Sequence, residues 1–191
     1  MPGDATTALA IINALGFGDH SVVSSSSKYN PVDLKKKFFE KALRKLGNEK
    51  DPFKINDVLR DPLHISIAGI ALGAIKKEAL TILAGGTQML AVLSLMKSIE
   101  PYFNEKKVIL ATTRWIYLDK GKEVSNTLNK YFPGVTFAYV ELNFFDAPYE
   151  GLEAGGSMFL AVVKSIDINY LKMHIYEEYK RIVNSEVLRN G

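Results

Sequence analysis

The sequence predicts an α/β fold with a parallel sheet covered by helices, and three observations carry that prediction. Three short apolar runs, Leu80 to Ala84, Val108 to Thr112 and Val135 to Leu142, have the length of strands. They are near-continuous rather than alternating, as strands buried on both faces are. Helical patterns separate them, which supplies the crossovers a parallel sheet needs. At 191 residues and 47% hydrophobic content the chain can bury a substantial core, most simply as one domain.

The elements follow in order. Ala8, Leu9, Ile11, Ile12 and Leu15 make one apolar helical face, ended by Gly16 and Gly18. After a loop containing Ser24 to Ser27, Asn30 stands as N-cap and Pro31 at the first helical position. Leu34, Phe38, Phe39, Ala42, Leu43 and Leu46 form that helix's face, and Gly47 lies past its end. Ile55 to Leu59 gives a short helical turn before Pro62. Leu63 to Ile75 is apolar around most of its circumference, the pattern of a buried or interface helix. Met89, Leu90, Val92, Leu93 and Met96 have helical spacing after the first strand, and Val124 to Tyr131 offers a helix after the second. Ile168, Leu171, Ile175, Tyr179 and Ile182 define a long amphipathic C-terminal helix for packing on the protein or on a partner subunit. The chain enters its first helix without an opening strand, so the expectation is a single domain that represents part of a longer protein lacking its N-terminal portion.

Composition narrows the function classes. Lys and Arg total 24 against 21 Asp and Glu, a net charge of +3, too mild for a nucleic-acid partner without a concentrated basic face. Lys35, Lys36 and Lys37 are adjacent and fan around a helix as a solvated surface. There is no cysteine, hence no disulfide framework and no thiolate metal site. No charged segment followed by an apolar one opens the chain, and Leu63 to Ile75 is too short to cross a bilayer. A cytoplasmic protein without a membrane partner is expected. His20, His64 and His174 show no metal-ligand spacing with an acid, so no metal is expected. Neither a Gly-x-Ser-x-Gly elbow nor a Gly-x-x-x-x-Gly-Lys-Ser/Thr loop occurs, and Gly85-Gly86 lacks the third glycine of the dinucleotide fingerprint.

Ligands of open parallel sheets bind beyond the carboxyl ends of the strands, where three polar segments of this chain belong. Gly85, Gly86, Thr87 and Gln88 form a strand–turn–helix junction. Its glycines admit close backbone approach, and its free N–H groups favour an anion such as phosphate. Thr112, Thr113 and Arg114 offer hydroxyls and a guanidinium to a phosphate or carboxylate, or else make a turn with a surface arginine. Asn143 to Asp146 is the third segment, in which Asp146 either orients a ribose hydroxyl or stabilises a turn. Two further small-residue turns, Pro2 to Thr7 with Thr6 and Thr7, and Gly155-Gly156-Ser157 before a helix at Met158 to Val163, repeat the cradle or serve as caps. Glu150 and Glu153 stand beside the last of these, as a general base or as solvated loop acids. Trp115 suits stacking on an aromatic ligand or a place in a core or interface.

Five blocks occur in order: Pro2 to Ala10, Asp61 to Ile70, Ile82 to Met89, Leu110 to Arg114 and Glu150 to Ser157. Together, and most specifically through Leu83-Ala84-Gly85-Gly86-Thr87-Gln88-Met89, they resemble the archaeal branch of the nicotinate-nucleotide:dimethylbenzimidazole phosphoribosyltransferase family. The resemblance implies a Rossmann-like parallel sheet with flanking helices, helical elements of a smaller domain, and a homodimer. It implies phosphoribosyl transfer from nicotinate mononucleotide to 5,6-dimethylbenzimidazole or a similar base, giving α-ribazole phosphate and nicotinate for the cobalamin lower ligand. No cofactor enters that scheme. Glu150 matches the family's general base, in a Glu-Gly-x-Gly-Ala-Gly-Gly type segment, and Gly151, Ala154, Gly155 and Gly156 match the small residues after it. Glu153 stands where a glycine is usual, and Asp4 and Ala5 where a glycine and a threonine are usual. Both departures place an acid beside a phosphate cradle, so a nucleotide- or base-binding homologue without turnover is the alternative expectation.

Overall fold

The structure, a computed structural model, describes residues 5–18, 32–86, 88–141 and 154–187. Four helices come first: α1 (Ala5–Leu15), α2 (Val32–Leu46), α3 (Pro52–Leu59) and α4 (Pro62–Lys76). Then follow β1 (Thr81–Ala84), α5 (Gln88–Ile99), β2 (Val108–Thr113), α6 (Arg114–Tyr131), β3 (Thr136–Val140), α7 (Ala154–Val163) and α8 (Ile168–Val187). The strands form one sheet in the order β1-β2-β3 with both pairs parallel, so the chain has the α/β fold its pattern predicts.

Register explains the two faces of the sheet. Leu83, Leu110 and Phe137 stand opposite one another on one face. They join the main core with α1, α4, α5 and α6, where Leu90, Val92, Leu93 and Met96 of α5 are completely buried. One residue further along, Ala84, Ala111 and Ala138 make a row of small residues on the opposite face. α7 crosses all three strands there. Met158 of α7 and Val140 of β3 form a separate cluster on which Ile168, Leu171 and Ile175 of α8 pack.

Local chemistry sets the helix starts. Asp51 caps α3, its Oδ1 accepting from Phe53 N at 2.8 Å and Lys54 N at 3.1 Å. Pro52 and Pro62 then occupy first-turn positions of α3 and α4, where a missing N–H costs nothing.

Four helix starts differ from the sequence-based expectation, the first being α3, which begins at Pro52 rather than Ile55. The helix expected at Val124 to Tyr131 is the second half of α6, which begins at Arg114. The apolar stripe Ile116, Val124, Leu128 is interrupted by buried Gly121, where a Cβ would meet Tyr117 Cδ2 at 3.0 Å. Gly155, Gly156 and Ser157 lie within the opening of α7 rather than in a turn before it. Glycine is a poor helix former, yet both glycines open a helix that as a whole packs across all three strands. Thr6 and Thr7 likewise fall in the first turn of α1 instead of preceding it. Asn30, Pro31 and Ser24 to Ser27 lie outside the described residues.

Candidate functional site

Among the described residues, two of the five buried side-chain polar atoms without a hydrogen-bond partner, on Thr112 and Thr113, lie at the carboxyl edge of the sheet. Gly85 N donates to Ala111 O at 3.0 Å, carrying the β1–β2 ladder one residue past the strand and setting Gly85 beside the end of β2. Its φ of +153° suits glycine, and a Cβ there would meet Met89 Cγ at 3.2 Å. Met89 N donates to Gly86 O at 3.1 Å, which closes the turn and launches α5 from half-buried Gln88. Thr87 lies outside the described residues.

β2 passes into α6 with no loop between. Thr113 is the N-cap of α6, yet its side chain makes no capping bond. Thr112 and Thr113 are both completely buried, and among the described residues neither hydroxyl has a partner. A buried hydroxyl in that state costs about 1–3 kcal/mol relative to a paired one. The alternation of the strand turns Thr112 toward the main core and Thr113 toward the α7 face. Arg114 follows, half-exposed, with Nη1 3.8 Å from Glu141 Oε1 just past β3. The first turns of α5 and α6 present free N–H groups at this edge. Met158, one turn into α7, packs on Val140 at the end of β3, which sets the start of α7 here too, with Ser157 exposed.

Tyr117 and Tyr139 are a feature the sequence reading missed. Tyr139 pairs in register with Thr112, and its ring stacks on Tyr117 of α6 with centroids 4.1 Å apart. Both tyrosines are about 40% exposed, so the stack is an open aromatic wall on the Thr112 side of the sheet. The strand that carries Tyr139 was legible in the sequence; the partner ring on a helix was not.

The edge thus brings together Gly85, Gly86, Gln88 and Thr113, with Gly155, Gly156 and Ser157 in the helix opening nearby. Thr6 and Thr7 are half-buried on α1, which packs against α5. Glu150, Glu153, Asn143, Asp146 and Asp4 lie outside the described residues. Trp115 is the half-buried second residue of α6. Among the described residues, no group of acids and histidines can hold a metal ion, and no helix is long and apolar enough to cross a membrane.

No protein-family model matches the chain. It is 36% identical to a UPF0284 protein of Aeropyrum pernix, over 96% of this chain and 54% of that protein. A UPF0284 protein of Pyrobaculum aerophilum is 35% identical, over 100% of this chain and 58% of its own length. One from Methanothermobacter thermautotrophicus is 32% identical, over 92% and 53% respectively. The chain therefore spans little more than half the length of these curated relatives, whose shared name states no activity.

Proposed function

We propose that the chain forms the substrate edge of a phosphoribosyltransferase that moves the phosphoribosyl group of nicotinate mononucleotide to 5,6-dimethylbenzimidazole or a similar base. The observation that carries this reading is the buried Thr113 hydroxyl, without a partner among the described residues, at the same sheet edge as the Gly85–Gly86 turn and two helix starts. A buried hydroxyl beside a glycine turn and helix N-termini suits an oxygen-rich anion. Thr113, Gly85, Gly86, Thr87 and Gln88 take the donor phosphate, with Gly155, Gly156 and Ser157 closing it from α7 and Thr6 and Thr7 supplied from α1. The Tyr117–Tyr139 stack suits a flat aromatic base.

In this scheme an imidazole nitrogen attacks the anomeric carbon as the bond to nicotinate breaks, and nicotinate leaves with the electron pair. Glu150 takes the N–H proton from the attacking base. No metal and no cofactor enters the balance. The exposed apolar side of α7 and α8, with Leu160, Val163, Ile166 and Met173, is the surface on which the reading places a homodimer.

The full-length protein, given nicotinate mononucleotide and dimethylbenzimidazole, should release nicotinate in step with α-ribazole phosphate. Glu150→Gln should still bind the donor but transfer about 10²–10⁴-fold more slowly. Binding of both compounds without release would leave the second reading, a nucleotide- or base-binding homologue, which the acids Asp4 and Glu153 favour. Binding of neither would remove both readings.

A further inference from the structure

α4 opens on a polar pair set into an apolar core. Asp61 caps the helix, its Oδ1 accepting from Leu63 N at 3.1 Å and His64 N at 3.2 Å, while its Oδ2 lies 2.7 Å from His64 Nδ1. Asp61 is 0% exposed and His64 1%. With Oδ1 already taking two backbone N–H groups, the carboxyl is placed as an acceptor; in the neutral ring a hydrogen on Nδ1 directed at it leaves Nε2 as an acceptor. Nε2 is buried with no partner. Asn56, whose carbonyl accepts from Asp61 N, has a buried, unpartnered Oδ1 as well. Two unmatched acceptors at one helix junction call for a donor.

The position of His64 follows from how α4 and α5 are pinned. Lys76 Nζ pairs with Glu100 Oε2 at 2.9 Å, joining the last turn of α4 to the end of α5. His64, Ala68, Ala71, Leu72 and Ile75 are the buried stripe of α4, and α4 packs chiefly on α5. Each helix ends shortly before a strand begins, so the two run in the same direction, away from the carboxyl edge. From Lys76 back to His64 and from Glu100 back to Gln88 is the same length of helix, about 18 Å at roughly 1.5 Å per residue. By that count His64 lies as far back along α4 as Gln88 lies along α5, toward the carboxyl edge.

We propose that His64, oriented by Asp61, accepts at Nε2 a hydrogen bond from an N–H or O–H group of the small molecule bound at the carboxyl edge. Asp61 is then a positioning residue that fixes the tautomer, and His64 a binding residue. This rests on the reading above that the edge binds a ligand. The matching donors are an azole N–H and a ribose hydroxyl, and the two substrates tested separately tell them apart.

The test is a long-range ¹H–¹⁵N correlation spectrum of the ¹⁵N-labelled full chain, titrated with dimethylbenzimidazole alone and with nicotinate mononucleotide alone. The free protein should show His64 Nε2 as a bare acceptor nitrogen. One of the two compounds should move that resonance saturably, the azole arm or the ribose arm being identified by which does. Asp61→Asn should place the hydrogen on Nε2 and weaken that compound's binding roughly tenfold to a hundredfold. Binding that shifts the Gly85 and Gly86 amides but leaves Nε2 unmoved would overturn the role of His64 while sparing the functional reading. A cross-peak from Nε2 to a permanently bound water, unchanged by either compound, would overturn it too. No binding of either compound overturns both. The wild-type spectra decide the matter even if the Asp61 variant does not fold.

Discussion

At the amino ends of the three strands the charged groups are wired together, whereas at the carboxyl ends two buried hydroxyls have no partner among the described residues. Glu105 joins two elements, its Oε1 accepting from Lys97 Nζ at 2.6 Å and its Oε2 from Gly134 N at 2.9 Å. Lys107 Nζ reaches both the carbonyl and the carboxylate of Glu78 at 3.1 Å, and Lys76 pairs with Glu100. Thr81 Oγ1 is the exception at that end. At the other end Thr112 and Thr113 are unsatisfied, and Arg114 makes only the longer 3.8 Å contact with Glu141. One edge of the sheet is braced for stability and the other holds bonding capacity in reserve, which is how a scaffold presents a site.

The contrast predicts effects of opposite sign. Glu105→Ala strands a half-buried ammonium and the Gly134 N–H together, and should lower unfolding free energy by about 2–3 kcal/mol in a urea titration. Affinity for nicotinate mononucleotide should not change, and a large loss of affinity would break the division of labour between the two edges. Thr113→Val keeps the shape of the side chain and removes an unpartnered hydroxyl, so stability should hold or rise by up to about 1 kcal/mol. Donor affinity, read by calorimetry, should fall about tenfold, the loss of one hydrogen bond. Destabilisation with unchanged affinity would show that Thr113 serves the core.

Away from both edges, Glu49 gives the smallest effect. The N–H of Asp51, and next that of Lys50, hold its carboxyl below the ordinary carboxylate range. A depressed native pKa favours the folded state above the ordinary pKa, and that contribution is lost as pH falls through the folded value. Glu49→Gln should therefore melt slightly below wild type at neutral pH and converge with it in acid. A gap that stays constant with pH would exclude the carboxylate's charge as the cause.

The three strands were legible within one or two residues because each is a short, near-continuous apolar run, although of the three β2 alone is buried along most of its length, whereas Thr136 and Tyr139 of β3 are exposed. α6 was half legible. Its opening turn carries Arg114, Trp115 and Tyr117, and Gly121 occupies the position where an apolar residue would have completed the stripe. Gly155-Gly156 read as a turn because local propensity says so, whereas the helix they open packs as a whole across three distant strands. Asp61 and His64 stood at N-cap and N3 spacing in the sequence, a signal that would have found the pair, but nothing local says that both are buried.

The sequence alone determined the alternation of strands and helices, the caps at Asp51 and Asp61, and the glycine turn after β1, since each depends on residues within a few positions of one another. The tertiary structure alone decided which polar atoms are left wanting. Thr127 and Thr113 are both buried threonines of the same segment, yet Thr127 Oγ1 donates to Glu123 O at 2.9 Å while Thr113 has no partner. The difference is one of place: inside a helix a threonine finds a carbonyl one turn back, and at a strand's end its hydroxyl depends on what the rest of the fold, or a ligand, brings to it.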